Sequence, residues 1–431
     1  MVICTYLIRL ELKNKKLFIP IFILLTSVFS YLAYSPKEIA IAGPYFPQID
    51  YFEEELDLIS RDLNVKIRYV PFSDIESEII EGNNIEEFDL AIIPNPQGVV
   101  NLGERGLVYP ITIALENEII DKNYSDHLQN ITTSDQDKNM YGVLFRLIPN
   151  SLIWYDVEKY EKIGAPKFDS YEDIVLFTKE NVSNGKPLWC MDIESGASTG
   201  WIASNWLEDI ILHNYGPNVY DEWSQQKITP KNNDIKSSIL SIGEIIFIDN
   251  AVYGGKNRII NKEFRNNSRN LVDSNNTCVF SWSGHFANMY FPSDKEYGND
   301  YDFFKFPSVE NKNAMVGLGD SLVILNSSED SIKAFNSLTS NRFGQNWTSH
   351  ADSMFISANR NSNIDKIKNP LLLKETTLIR NALNEDLFRY DASELMERRI
   401  GADHLLTALK NYISFGNLVI NSISQELESQ Y

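Results

Sequence analysis

From residue 38 onward, short apolar runs alternate with amphipathic stretches in a regular order. Residues 38–42 read Glu-Ile-Ala-Ile-Ala, and Gly43-Pro44 ends the run. Over 51–63 the apolar positions recur at helical spacing. Val65 to Val70 is dense in Val, Ile and Tyr, 73–81 returns to a helical pattern, and 88–93 is another apolar run, stopped by Pro94-Asn95-Pro96-Gln97-Gly98. Strand, helix, strand, helix, strand at this spacing predicts a parallel sheet with helices on both faces. In such sheets ligands sit beyond the carboxyl ends of the strands. The 94–98 turn lies at such an end, so Asn95 and Gln97 are candidates for binding ligand hydroxyls.

The second landmark is 140–155, which contains Arg146, Pro149 and a strand over 151–155 running into Trp154-Tyr155-Asp156. A helix follows over 170–181. Residues 190–213 then read as a strand-like start, a small-residue turn from Gly196 to Gly200, and an amphipathic helix that Gly216-Pro217 terminates. Further helices are expected over 235–247 and 331–339, with strands over 277–282 and, after a glycine turn, up to Ile324. From 371 to the end the pattern is largely helical, with breaks near 388–391. No internal repeat or low-complexity tract occurs.

The first 35 residues differ. Arg9, Lys13, Lys15 and Lys16 precede an apolar run of 17 residues, Leu17 to Ala33. This is the order of an export signal or a short N-terminal anchor. The charge bias puts the rest of the chain outside the cytoplasm in either case. No cysteine follows the run, so lipid attachment is not supported. Export permits a disulfide, and Cys190 and Cys278 are the two cysteines beyond this segment.

The 431 residues exceed one ordinary core, so two domains are expected. A formal charge of −20, from 59 acidic against 39 basic residues, repels nucleic acid, and no basic aromatic-rich stretch offsets it. Five scattered histidines give no metal cluster. The chain has no dinucleotide fingerprint, phosphate loop or nucleophile elbow, so no cofactor and no catalysis are expected. A carboxylate pair for glycoside hydrolysis is not picked out by any motif, and a membrane-anchored glycan-active enzyme or a surface carbohydrate-binding module stays as the alternative.

Binding chemistry is better represented. Trp201 and Trp206 stand near a helix start with Ser195, Ser198 and Thr199 beside them. Rings and hydroxyls together suit an uncharged sugar or polyol, the ring taking the apolar face and the polar groups the hydroxyls. Each tryptophan taken singly fits a core position equally well. Trp201, Trp282 and Tyr155 are the first stacking candidates, with Trp206 behind them. Ser198, Thr199, Asn95 and Gln97 supply polar contacts. Asp320, beside glycines at a strand edge, would accept a pair of hydroxyls, and Arg146 would orient such an acceptor.

Several segments carry a family resemblance. They are Ser151-Leu152-Ile153-Trp154-Tyr155 followed by Tyr160 to Pro166; Trp189-Cys190; Gly200-Trp201 with Trp206 to Asp209; Gly216-Pro217 with Tyr220 to Trp223; Cys278; and Phe388 to Met396. In these the chain resembles the extracellular solute-binding proteins of carbohydrate ABC transporters, of the maltose-binding-like group, nearest a subgroup for α-glucosides or glucosylglycerol. The resemblance implies the periplasmic binding protein-like II fold, two α/β lobes joined by crossover hinge segments with a small neutral sugar or glycoside between them. The lobes would comprise 36–146 with 312–350, and 147–311 with 351–431. It further implies a Cys190–Cys278 disulfide, a monomer, delivery of the ligand to membrane permease subunits, and neither ATP binding nor catalysis. Glu397 departs from the family's proline after the methionine, and the lipoprotein cysteine of many relatives is missing.

Overall fold

The computed structural model describes residues 38–83, 85–182, 186–229, 231–275 and 278–421. The export segment expected over 1–35 lies outside them. Among the described residues no helix is long and apolar enough to cross a membrane.

The first half of the chain winds β1 (Glu38–Pro44), α1 (Ile49–Leu63), β2 (Lys66–Phe72), α2 (Ile75–Glu81), β3 (Leu90–Ile93) and α3 (Pro96–Glu104). Side chains alternate across a strand, and β1 shows what that does. Ile39 and Ile41 face one core with Phe52, Leu56 and Ile59 of α1, while the smaller Ala40 and Ala42 face another with Ile75, Ile79, Val99 and Leu102. Helices therefore cover both faces, as the pattern predicts. Caps mark where they start. The Asp74 side chain accepts from the Ser77 amide at 3.1 Å, and Gly82 closes α2 in a left-handed conformation.

The chain continues through α4 (Asp126–Asn130), β4 (Gly142–Pro149), β5 (Leu152–Asp156), α5 (Tyr171–Asn181), α6 (Trp201–Ser224), α7 (Asn233–Ile246), β6 (Phe280–Trp282), β7 (Tyr301–Lys305), β8 (Met315–Ile324), α8 (Glu329–Leu338), α9 (Pro370–Asn384), β9 (Phe388–Tyr390), α10 (Ala392–Leu395) and α11 (Leu406–Phe415). The first sheet has the order β2-β1-β3-β8-β4, with β9 beside β8; the second has the order β6-β5-β7. The first sheet is mixed rather than parallel. β1 runs parallel to β2 and β3, but β8 runs antiparallel to both β3 and β4. The long excursion through the second sheet returns the chain from the opposite end. Glycine at 319 lets the two strands meet, because a Cβ there would strike the Arg146 carbonyl.

Two further features differ from expectation. Helix α6 does not stop at Gly216-Pro217. It kinks where Gly216 adopts φ 86° and resumes to Ser224. Residues 370–390, inside the 351–431 stretch expected with the second lobe, pack against the first: β9 pairs with β8, and Leu372, Ile379 and Leu383 of α9 share a core with Ile41 and Leu90. That core also holds Trp154 and Phe303 from the second sheet, so α9 ties the two lobes together. A separate core around α6, α7 and α11 fills the second lobe.

Cys190 and Cys278 are buried and joined, with Cα atoms 5.7 Å apart, closing a loop 88 residues long. Loops of that length lose most freedom in the unfolded chain when bridged. Replacing both cysteines by alanine is expected to lower unfolding free energy by about 2–4 kcal/mol, read as a smaller urea midpoint; an unchanged midpoint would show that the bridge contributes nothing to stability.

Candidate functional site

The carboxyl edge of the first sheet gathers four of the candidate residues. Asn95 caps α3: its Oδ1 accepts from the Gly98 amide at 2.6 Å, and its Nδ2 donates to Glu76 at 2.6 Å. Two residues on, the Gln97 amide donates to the Leu395 carbonyl of α10. Arg146 of β4 lies opposite Asp320 of β8 and forms an ion pair with it, the two side chains only 13% and 8% exposed. The guanidinium sits 4.2 Å over the Phe46 ring. Tyr390 fastens the edge from below, its hydroxyl 2.6 Å from the Gly319 carbonyl and 2.9 Å from that of Pro94. Burial pushes the nearby Tyr69 hydroxyl far above the ordinary phenol range, and it donates to the Pro44 carbonyl at 2.5 Å.

Arg146 therefore holds Asp320 directly. Tyr45, at the end of β1, is 70% exposed on this edge and was not singled out by sequence reasoning. Its signal was its place directly after Gly43-Pro44, the same strand-end position that marks Asn95.

The second lobe supplies a platform of rings at the start of α6. Trp201, half-buried, meets Phe286 at 4.8 Å and the edge of Phe264 at 5.2 Å; Phe264 meets Tyr290 at 5.6 Å. Arg265 lies 4.9 Å over Phe264. Ser198 is exposed beside it. Thr199 uses its hydroxyl within the turn, accepting from the Ser195 amide at 3.0 Å and donating to the Gly196 carbonyl at 2.8 Å. Phe264, Phe286 and Tyr290 are additions to the candidates.

Three expected stacking rings lie elsewhere. Trp206 and Trp282 are 0% and 1% exposed and stack on each other at 5.8 Å in the second lobe's core. The Trp206 indole donates to the Trp282 carbonyl at 2.9 Å and the Trp282 indole to Asp209 at 2.7 Å. Neither offers a face to a ligand, because α6 turns position 206 inward while position 201 stays at the rim. Tyr155 is at the end of β5 away from the crossover, stacked on Tyr160 at 4.1 Å and donating to Asp302 at 3.2 Å. The strand starts at the hinge, and its last residues leave the cleft.

A cavity of about 1470 Å³ runs along α3 between the lobes. Pro44, Ser73, Asn95 and Gln97 line one end, and His127, Asp221 and Arg389 line the other. Trp201, Arg146 and Asp320 are not among its walls, so the cavity meets the sheet edge without reaching the ring platform. At its far end the neutral His127 ring accepts from the Tyr390 amide at 3.0 Å, burial holding its pKa well below the usual imidazole value. No group of three His, Cys, Asp or Glu among the described residues could hold a metal ion.

Comparison with known proteins fits this arrangement. The chain is 26% identical over 360 residues to the alpha-glucosides-binding periplasmic protein AglE of Rhizobium meliloti (strain 1021), covering 81% of this chain and 77% of that one. It is 25% identical over 341 residues to the osmoprotective compounds-binding protein GgtB of Synechocystis, covering 78% and 79%. The solved bacterial solute receptor AcbH superposes with a TM-score of 0.75 at 13% identity, over 91% of this chain and 98% of that one. The chain is thus similar in sequence to these two binding proteins and shares the fold of a solved solute receptor. No family model matches it. The likeness to AcbH is one of fold, with two α/β lobes.

The Arg146–Asp320 pair is largely shielded from water. Removing one partner leaves a charge without compensation, so Asp320→Ala is expected to cost about 3 kcal/mol of stability. Urea unfolding measures it, and a loss below about 1 kcal/mol would show that the pair behaves as a surface salt bridge.

Proposed function

We propose that the chain is the solute-binding component of a sugar ABC transporter, which captures a glucose-containing small solute, such as glucosylglycerol, sucrose, trehalose or another α-glucoside, outside the cytoplasmic membrane and delivers it to permease subunits. The observation that carries the reading is the half-buried Trp201 platform at the start of α6, flanked by Phe264, Phe286 and Tyr290. Rings of this kind cover the apolar face of a pyranose. In the first lobe, the carboxyl edge of the sheet offers Tyr45, Asn95, Gln97 and the Asp320 carboxylate held by Arg146. Neutral amides and one anchored carboxylate suit hydroxyls rather than a charged group. The naming of AglE for α-glucosides and of GgtB for osmoprotective compounds supports the same ligand class. The lobes close on the solute by a hinge motion, and the protein works as a monomer. Residues 1–35 are cleaved or kept as an anchor.

Titration calorimetry of the purified protein against glucosylglycerol, sucrose, trehalose, maltose, glucose and glycerol tests the reading. Stoichiometric binding near micromolar, about −8 kcal/mol, without hydrolysis of the sugar is the expected result. Trp201→Ala should weaken the best ligand by about 2 kcal/mol, roughly 30-fold, while Tyr155→Ala should leave its affinity unchanged. Absence of heat from every member of the panel would remove the glucoside assignment.

A further inference from the structure

Glu208 projects from α6 into the crossing between the two sheets and is fully buried. Its Oε2 lies 2.9 Å from the Ala392 amide nitrogen and 2.8 Å from the Tyr220 hydroxyl. The same hydroxyl oxygen is 2.9 Å from the Tyr390 carbonyl and 3.1 Å from the Ala392 nitrogen. One tyrosine hydrogen and one amide hydrogen thus serve the whole group. The other carboxyl oxygen, Oε1, is buried with no donor.

Beside it stands the Asp391 carboxyl, within hydrogen-bonding reach and itself buried. Asp391 is well supplied. Its Oδ1 accepts from the Ser393 amide at 3.0 Å and the Ser393 hydroxyl at 2.6 Å, and the Asn205 side-chain amide, in the orientation its neighbours require, donates to Oδ2 at 3.0 Å.

The charged groups nearby are engaged elsewhere. Asp209, next on α6, turns to Ser151 and Trp282. Lys305 of β7 acts on Asp209 and His213. Arg389 of β9 pairs with Asp221 beyond the α6 kink. Glu394 of α10, exposed, adds a further negative charge that acts on Asp391, and Asn150, from the β4–β5 link, is uncharged. Two ionised carboxylates in contact without a cation leave a buried acceptor unmet and a repulsion uncompensated. A single added hydrogen removes both faults.

We propose that Glu208 is held as the neutral acid and donates from Oε1 to an ionised Asp391, as the positioning residue that fixes α6, and with it Trp201, against the segment following β9. The placement of Trp201 rests on the solute-site reading above; the proton does not. Asp391 lies directly after β9 of the first sheet, and Ala392 belongs to the second lobe's core, so this one hydrogen spans the hinge. Burial, and after it the Asp391 charge, holds the Glu208 carboxyl well above the usual carboxylate range. With a folded-state pKa above the unfolded one, the stabilisation is fully present below about pH 4.3 and is lost as pH rises through the folded-state value.

Infrared difference spectra of the full chain in heavy water at neutral pH test this. Wild type minus Glu208→Gln is expected to show the carbonyl band of a protonated carboxylic acid. Glu208→Gln keeps a donor toward Asp391 but cannot ionise, so its thermal midpoint should change less than that of wild type as the pH rises above about 4.3. Asp391→Asn changes the acceptor and should shift the Glu208 acid band, which keeps the test open if the glutamine variant folds poorly. Carboxylate bands alone in the difference spectrum, or superimposable pH profiles for wild type and Glu208→Gln, would overturn the proposal. None of these readouts needs a sugar, so a failed solute panel and a failed proton assignment are told apart.

Discussion

Helix α6 carries Asn205, Glu208, Asp209 and His213 into a place where none of them meets water. Buried polar groups must find partners, and much of the structure around the crossing is arranged to supply them. Ser151 and Trp282 serve Asp209, the Ala392 amide and Tyr220 serve Glu208, and the carbonyls of Asp209 and Ala314 flank His213. Besides Tyr220 and the Asp209 carbonyl of α6 itself, the partners come from four different stretches of chain: the β4–β5 crossover, β6, the entry to β8, and the segment after β9. The crossing is therefore specified by polar matching, while the apolar cores on either side fix the lobes themselves.

Much of the first lobe was legible because its signals are local. Ile39, Ile41 and their neighbours alternate, α1 repeats its apolar face every three or four residues, and Gly-Pro or Pro-Asn-Pro turns end the strands. The direction of β8 was not legible, since it depends on which end of the sheet a distant segment returns to. Nor was β7, where Asp302 and Lys305 interrupt the apolar run and pairing with β5 supplies what the pattern lacks. The Gly216-Pro217 signal reads as a stop, yet the Tyr220 hydroxyl, bonded to Glu208 and Tyr390, holds the second half of α6 in place beyond the kink.

The candidate residues divide along the same line. Strand ends pointed to Asn95 and Gln97, and a helix start pointed to Trp201. A tryptophan's type does not tell which way its helix or strand turns it. Five residues separate Trp201 from Trp206, more than a full turn, and that rotation takes the second ring from rim to core. Phe264 and Tyr290 join the platform only through folding, from segments with no chemistry of their own to announce them.

The central place of β8 also governs how the chain can be made. The strand that neighbours β3 begins at Met315, and β9, which completes the sheet, ends at Tyr390. Until those residues have emerged, β3 has an open edge and the first lobe lacks its middle. An N-terminal portion synthesised alone cannot close into a domain, so folding waits for nearly the whole polypeptide. In the export route proposed above, where a chain is threaded through a membrane before it folds, a topology that postpones its own completion keeps the chain in a translocatable form.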